Sequence, residues 1–306
     1  MKTLMKTFVK ILLTFLVIIV LSSIIGYFYF DKKFTPEKNY LNIKNESGEI
    51  FIKWGNEKNS ILLPIKFSGN STTYFMQFDT GSPSTIFYKK AVENIPNIKI
   101  NTQNKRAIAS FNLGNSIISS DKFKVLNYGD KTDTLKIIGT IGSDILENRI
   151  TVLNFKENLL EFNIDKMPTN FENKLSDFQF KKRKIIIKGS LRGKDEKFLY
   201  DTGTSAYELV TNKEVWQKLK LANSKIKIEK ENSWGNILTT YTSKSNEEIS
   251  LGKNKIHLNT VTYVDGFSQT QSLLMKFSGM TGMLGNKIFL NNKILIDGKV
   301  MKIGVE

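Results

Sequence analysis

Three features of the sequence predict an all-β fold of two related lobes behind one membrane-spanning helix. Residues 11–30, ILLTFLVIIVLSSIIGYFYF, form an uncharged apolar run long enough to cross a bilayer. From about residue 60 onward, short apolar stretches alternate with turns carrying Gly, Asn and Lys, which is the pattern of strands and hairpins. Three blocks of that pattern then recur in the same order in the two parts of the chain.

The apolar run is set aside first, because a targeting or anchoring segment says nothing about the fold behind it. Lys2, Lys6 and Lys10 precede it and Asp31, Lys32 and Lys33 follow. A cleaved signal peptide is the competing reading. The length of the run, its aromatic end and the lack of a small-x-small cleavage site favour an uncleaved anchor. The positive N-terminal charge predicts a cytoplasmic stub, with the rest of the chain periplasmic or extracellular. The expected organisation is a stub and anchor over 1–33, a juxtamembrane linker over 34–59, a first lobe over 60–165, an inter-lobe linker over 166–180 and a second lobe over 181–306.

The duplication is read block by block. SILLPIKFSGNSTTYFMQFDTGSPSTIFYKKAV stands beside KIIIKGSLRGKDEKFLYDTGTSAYELVTNKEV. Each reads as a strand, a hairpin turn at Gly69 or Gly193, a second strand ending in Asp, a turn, and a third strand. FNLGNSIISSDKFKVLNYG then matches ISLGKNKIHLNTVTYVDG. The last pair is GTIGSDILENRITVLNFKENLLEFNI and TGMLGNKIFLNNKILIDGKVMKIGV: an apolar pair before Gly142 or Gly285, a short helix, and a closing hairpin. Between them DKMPTNFENKLSDFQF mixes Pro, Asn and charge and reads as linker.

Composition narrows the chemistry. The 306 residues include no Cys, so thiol nucleophiles, disulfides and Cys-bound metals are out of reach. His257 is the only histidine and sits in an apparent strand with no partnering motif, which leaves no Ser-His-Asp arrangement. Carboxylates, hydroxyls and lysines remain. The formal charge of +16 raises the question of nucleic acid or anionic lipid, but the lysines are scattered. FKKRKIIIKG, the one dense cluster, leads into a strand, and no nucleic-acid motif accompanies it. The Asn-x-Ser/Thr triplets at Asn45 and Asn70 read as coincidence in an Asn-rich chain.

Two Asp-Thr-Gly turns, one per repeat and each followed by an apolar-apolar-Gly block, make residues 60–306 resemble the pepsin-like and retropepsin-like aspartic proteases. The resemblance implies a bilobal β fold with a cleft between lobes and an aspartic endopeptidase acting on protein or peptide substrates, with no metal or cofactor. It implies that Asp79 and Asp201 are the catalytic pair, and that Thr80 and Thr202 hydrogen-bond across the two loops. Gly81 and Gly203 then permit close approach, and Ser82 and Thr204 place hydroxyls on the outer carboxylate oxygens. Such bonds would hold the pair at acid pH.

The family's flap tyrosine has no counterpart in NIKINTQNKRAIASF (97–111), where Phe111 is the candidate replacement; Trp234 and Gly235 mark the matching stretch of the second lobe. That departure keeps open an inactive, peptide-binding version of the fold at the membrane surface.

Overall fold

The computed structural model describes residues 2–44, 48–233, 236–266 and 279–306. It divides into two units, Met1–Lys38 and Asn39–Glu306.

The first unit is a single helix, Lys2–Phe34. Leu, Ile, Val and Phe dominate it and no proline interrupts it; Pro36 disfavours a helical Thr35 and stops it. Its hydroxyls turn back on their own backbone, Thr14 Oγ1 donating to Lys10 O (2.9 Å) and Ser23 Oγ to Ile19 O (2.8 Å). Residues 5–34 are long and apolar enough to cross a membrane, a property shared with signal sequences.

The second unit is mostly β. We number twelve of its strands: β1 Ile61–Lys66, β2 Thr73–Phe78, β3 Ile86–Tyr88, β4 Arg106–Leu113, β5 Ser116–Leu126, β6 Ile137–Ile141, β7 Lys184–Leu191, β8 Lys194–Tyr200, β9 Leu209–Thr211, β10 Asn236–Leu251, β11 Asn254–Asp265 and β12 Gly282–Leu284. The pairings β1–β2, β2–β6, β6–β3, β3–β5, β5–β4 and β4–β1 close a circuit of six strands, in which β2–β6 and β3–β5 are parallel and the others antiparallel. The strands β7 to β12 repeat that circuit, with the same order and the same orientations. The duplication read in the sequence is therefore a duplication of strand connectivity. Closing the circuit pairs strand edges that an open sheet would leave bare.

Local chemistry explains the strands. Along β4, the alternation buries Ala107, Ala109, Phe111 and Leu113 and exposes the residues between them. Hairpin turns fall on residues with positive φ: Arg192 and Gly193 between β7 and β8, Gly114 between β4 and β5, and Gly252 between β10 and β11. Short 3₁₀ helices follow β6 and β12, at Ser143–Leu146 and Asn286–Phe289, as the sequence predicts.

A further layer ties the repeats together. Its strands run in the order Glu49–Phe51, Leu159–Ile164, Ile150–Asn154, Lys293–Asp297, Lys302–Val305, Leu175–Lys181. The closing hairpin of one repeat thus pairs edge to edge with that of the other, Ile150–Asn154 against Lys293–Asp297.

Two expected linkers are corrected. Residues 166–180 contain the 3₁₀ turn Thr169–Phe171, with Phe171 fully buried, and most of the strand Leu175–Lys181. The apolar positions Leu175, Phe178 and Phe180 outweigh the polar composition there. Within 34–59, Glu49–Phe51 joins the layer just described, and Ile50 and Ile52 are buried in the core. Short length and high polarity disguised both segments as connectors.

Candidate active site

Each Asp-Thr-Gly turn leaves a strand paired on both sides within its circuit, β2 between β1 and β6 and β8 between β7 and β12. Asp79 follows β2 and its N–H donates to Ile141 O at the end of β6 (3.0 Å); Asp201 follows β8 and its N–H donates to Leu284 O at the end of β12 (2.9 Å). The same backbone bond thus holds both acids. The downstream glycines sit tightly beneath the loops, since a Cβ on Gly142 would lie 2.4 Å from the Ser84 backbone and one on Gly285 would strike Thr204 O.

Thr80 and Thr202 join the two turns. The N–H of each donates to the hydroxyl of the other, Thr80 N to Thr202 Oγ1 (2.9 Å) and Thr202 N to Thr80 Oγ1 (3.0 Å). Each hydroxyl donates onward across the pair, Thr80 to Tyr200 O (3.0 Å) and Thr202 to Phe78 O (2.8 Å). Both threonines are fully buried and fully satisfied. The lattice leaves Asp79 and Asp201 facing each other within hydrogen-bonding reach. Gly81 and Gly203 make that approach possible: a Cβ on either would lie 2.5 Å from a carboxylate oxygen of the opposite aspartate.

The hydroxyls of Ser82 and Thr204 do not do what the sequence led us to expect. Ser82 Oγ donates to Ser84 O (2.9 Å) and Thr204 Oγ1 to Asp201 O (2.9 Å), so both brace their own turns. The carboxylates take backbone amides instead, Ser82 N to Asp79 Oδ1 (3.2 Å) and Gly203 N to Asp201 Oδ1 (2.8 Å). Tight turns bring N–H groups to an Asp side chain before any side-chain hydroxyl can reach it.

The expectation of an acid-shifted pair is corrected with it. Asp79 keeps solvent contact through the cleft, yet protein crowds its carboxyl. Burial first, and the charge of Asp201 second, push it up to about 8, against the opposing pull of Lys184. Two such carboxyls hold one proton between them over a wide pH range.

The pair lies in a cleft of about 900 Å³. On one side it is lined by Tyr88, by the loop containing Tyr128, Gly129, Asp130 and Asp133, and by Gln77 and Ile137; on the other by Ala206, Tyr207, Val210, Glu231, Leu238, Thr240 and Val264. Tyr88 donates to or accepts from Thr140 Oγ1 (2.5 Å) and packs edge-on to Tyr128. Sequence reading missed this rim. The alternation of KIEKENS placed Glu229 and Glu231 on one face of a strand, but nothing in it said that the face met the cleft.

The flap candidates fare differently. A hairpin does form within 97–111, Lys99–Asn101 against Arg106–Leu113. Phe111, however, is 1% exposed and packs against Phe67, Phe87 and Phe123, so it is core and covers nothing. Trp234 and Gly235 lie outside the described residues, as does Asn45. Asn70 accepts from Thr72 N in its own turn (2.9 Å), and His257 is an exposed strand residue opposite Glu248.

A second buried carboxyl supports the first loop. Asp144 accepts from Thr85 N (2.7 Å) and Thr85 Oγ1 (2.8 Å), and its burial raises it to about 6. Beside it Arg183, 7% exposed, pairs with Glu147 (2.6 Å) and donates to Pro83 O (3.2 Å) in the loop after Asp79. No group of three His, Cys, Asp or Glu able to hold a metal occurs among the described residues. Compared with known proteins, the chain matches no family model and no curated sequence.

Proposed function

We propose that the chain is an aspartic endopeptidase of the bilobal, pepsin-like type, tethered by its N-terminal helix with the cleft outside the cytoplasmic membrane. The observation that carries this reading is the pair of Asp-Thr-Gly turns locked to each other by reciprocal Thr80 and Thr202 bonds, with two carboxyls face to face at the floor of a cleft. A turn that merely capped its own amides would need no such partner. The repeated six-strand circuit supports the two-lobe description.

The chemistry follows from one proton shared by two carboxyls. The ionised carboxylate accepts a proton from a water molecule as the water oxygen attacks the peptide carbonyl carbon. The protonated carboxyl donates to the carbonyl oxygen, giving a tetrahedral diol. Collapse of the diol breaks the C–N bond: the proton taken from the water passes to the leaving nitrogen, and one diol hydroxyl returns its proton to the carboxylate that had donated, which leaves the acid product and restores the singly protonated pair. Neither step requires a covalent enzyme intermediate. The amides of Ser82 and Gly203 hold the two carboxyl groups in place throughout. With Asp79 pushed up to about 8, its carboxyl still holds a proton near neutrality, and activity should decline above that.

The second reading is a peptide-binding module without hydrolysis. It is favoured by one observation, that the 97–111 hairpin contributes no residue to the cleft lining. The two are separated by incubating the full chain, in detergent micelles, with a diverse peptide library from pH 4 to 9, beside Asp79→Asn and Asp201→Asn. Cuts by the unaltered protein alone establish the peptidase. Peptides retained but uncut at every pH establish the binding module.

A further inference from the structure

The chain carries 45 Lys and Arg against 29 Asp and Glu, yet no Lys, Arg or His is among the described residues that line the cleft. Besides Asp79 and Asp201, the lining includes Asp130 and Asp133 from one loop and Glu231 from the strand Lys227–Ser233. Scattered lysines would place several bases there if they fell at random. Among the described lining residues the charge is thus acidic, with Lys184 acting on Asp79 from outside the lining.

The three acids are not equivalent. Asp133 spends both oxygens on its own loop, accepting from Leu135 N (2.9 Å) and Ile137 N (3.0 Å). Asp130 Oδ1 accepts from Thr132 N and Thr132 Oγ1 (2.8 Å each). Glu231 forms no ion pair among the described residues, and Lys227, on the same strand, is engaged by Glu229 (2.7 Å). One oxygen of Glu231 accepts from the Tyr207 hydroxyl (3.1 Å), and Tyr207 N donates to Thr204 O (3.0 Å). Its carboxylate is thereby tied to the turn that starts at Asp201. Across the hairpin it faces Leu238, an apolar lining residue that suits the aliphatic stem of a long cationic side chain.

We propose that the cleft selects peptides bearing a lysine or arginine beside the bond at Asp79 and Asp201, with Glu231 as the selecting carboxylate held in position by Tyr207. The proposal deepens the peptide-cleft reading above and rests on it for the identity of the ligand. It does not rest on hydrolysis. A partly solvent-exposed carboxylate opposite a cation discriminates by roughly tenfold against a neutral side chain of equal length, less at high salt.

The test measures binding and cleavage separately. Fluorescent octapeptides that differ only at a central position, as Lys, norleucine or Glu, are titrated by anisotropy against the full chain carrying Asp201→Asn, so that none is consumed. The expected order is Lys, then norleucine, then Glu, with about tenfold between the first two. Adding Glu231→Gln should collapse the Lys preference to within about twofold, and adding Glu231→Lys should reverse the order of Lys and Glu. Equal binding of Lys and norleucine, a preference that survives Glu231→Gln, or no binding of any peptide overturns the proposal. The same peptides are then given to the unaltered protein. A cation preference in binding with no cleavage would keep the selectivity and remove the peptidase.

Discussion

Thr80 and Thr202 each spend one hydroxyl on two bonds, and neither has solvent to fall back on. Replacing either by Val keeps the shape and strands one buried amide and one buried carbonyl. We expect Thr80→Val to cost about 3 kcal/mol in urea unfolding, with a larger fractional loss in cleavage than a surface substitution of equal stability cost. Asp79 gives the sharpest pH signature. Its carboxyl titrates near 8 when folded against an ordinary value near 3.8, so between those limits the folded chain binds the extra proton. Stability from this group is full below about pH 4 and is lost as pH rises toward 8. Asp144 has the same sign over a narrower window, ending near 6. Thermal melts should therefore show the midpoint falling from pH 4 to 8 in the unaltered protein, whereas Asp79→Asn should level off near pH 6. Parallel curves for the two proteins between pH 6 and 8 would contradict the assignment. The residue types at the floor of the cleft were legible in the sequence because Asp-Thr-Gly came twice in register. The roles of Ser82 and Thr204 were not, because which donor reaches a carboxylate depends on turn geometry that residue type does not encode.

At the scale of elements, the turn between Leu175–Lys181 and β7 has a structural task. Lys182 and Arg183 both have positive φ, and Arg183 reaches from this turn to Glu147 and to Pro83 in the loop after Asp79. Its own carbonyl accepts from Ser143 Oγ (2.5 Å). Arg183→Ala would leave Glu147 and the Pro83 carbonyl without that partner, at a cost of about 3 kcal/mol. Cleavage should fall further than stability alone explains, because the loop carrying Asp79 loses its brace; Arg183→Lys should restore little, since one ammonium cannot replace a fork of donors. Denaturant midpoints and cleavage rates measured side by side check this. Period-two alternation and Gly turns made the circuit strands readable in advance, β4 and β7 most clearly. Glu49–Phe51 was not readable because it is three residues long and pairs with Leu159–Ile164, remote in sequence; Leu175–Lys181 was not, because polar residues separate its apolar positions and one of its two partners, Lys302–Val305, is remote as well.

For the molecule as a whole, the charge distribution and the strand order act on different problems. A net charge of +16 around an acidic cleft means that added salt screens long-range repulsion of cationic peptides while weakening their contact with Glu231. Between 20 and 300 mM NaCl, the association rate of the Lys octapeptide should rise while its dissociation rate also rises, which stopped-flow anisotropy resolves. The outer layer of strands has a consequence for biosynthesis. Ile150–Asn154 is flanked by Leu159–Ile164 on one edge and by Lys293–Asp297 on the other, so the earlier half of the sheet waits with an unpaired edge until residues 293–297, about 140 positions later, have been made. The carboxyl pair can assemble only after Asp201 and its supporting strands have joined. Until residues 293–297 dock, a nascent chain therefore carries an incomplete outer layer with a bare strand edge beside other unfolded proteins.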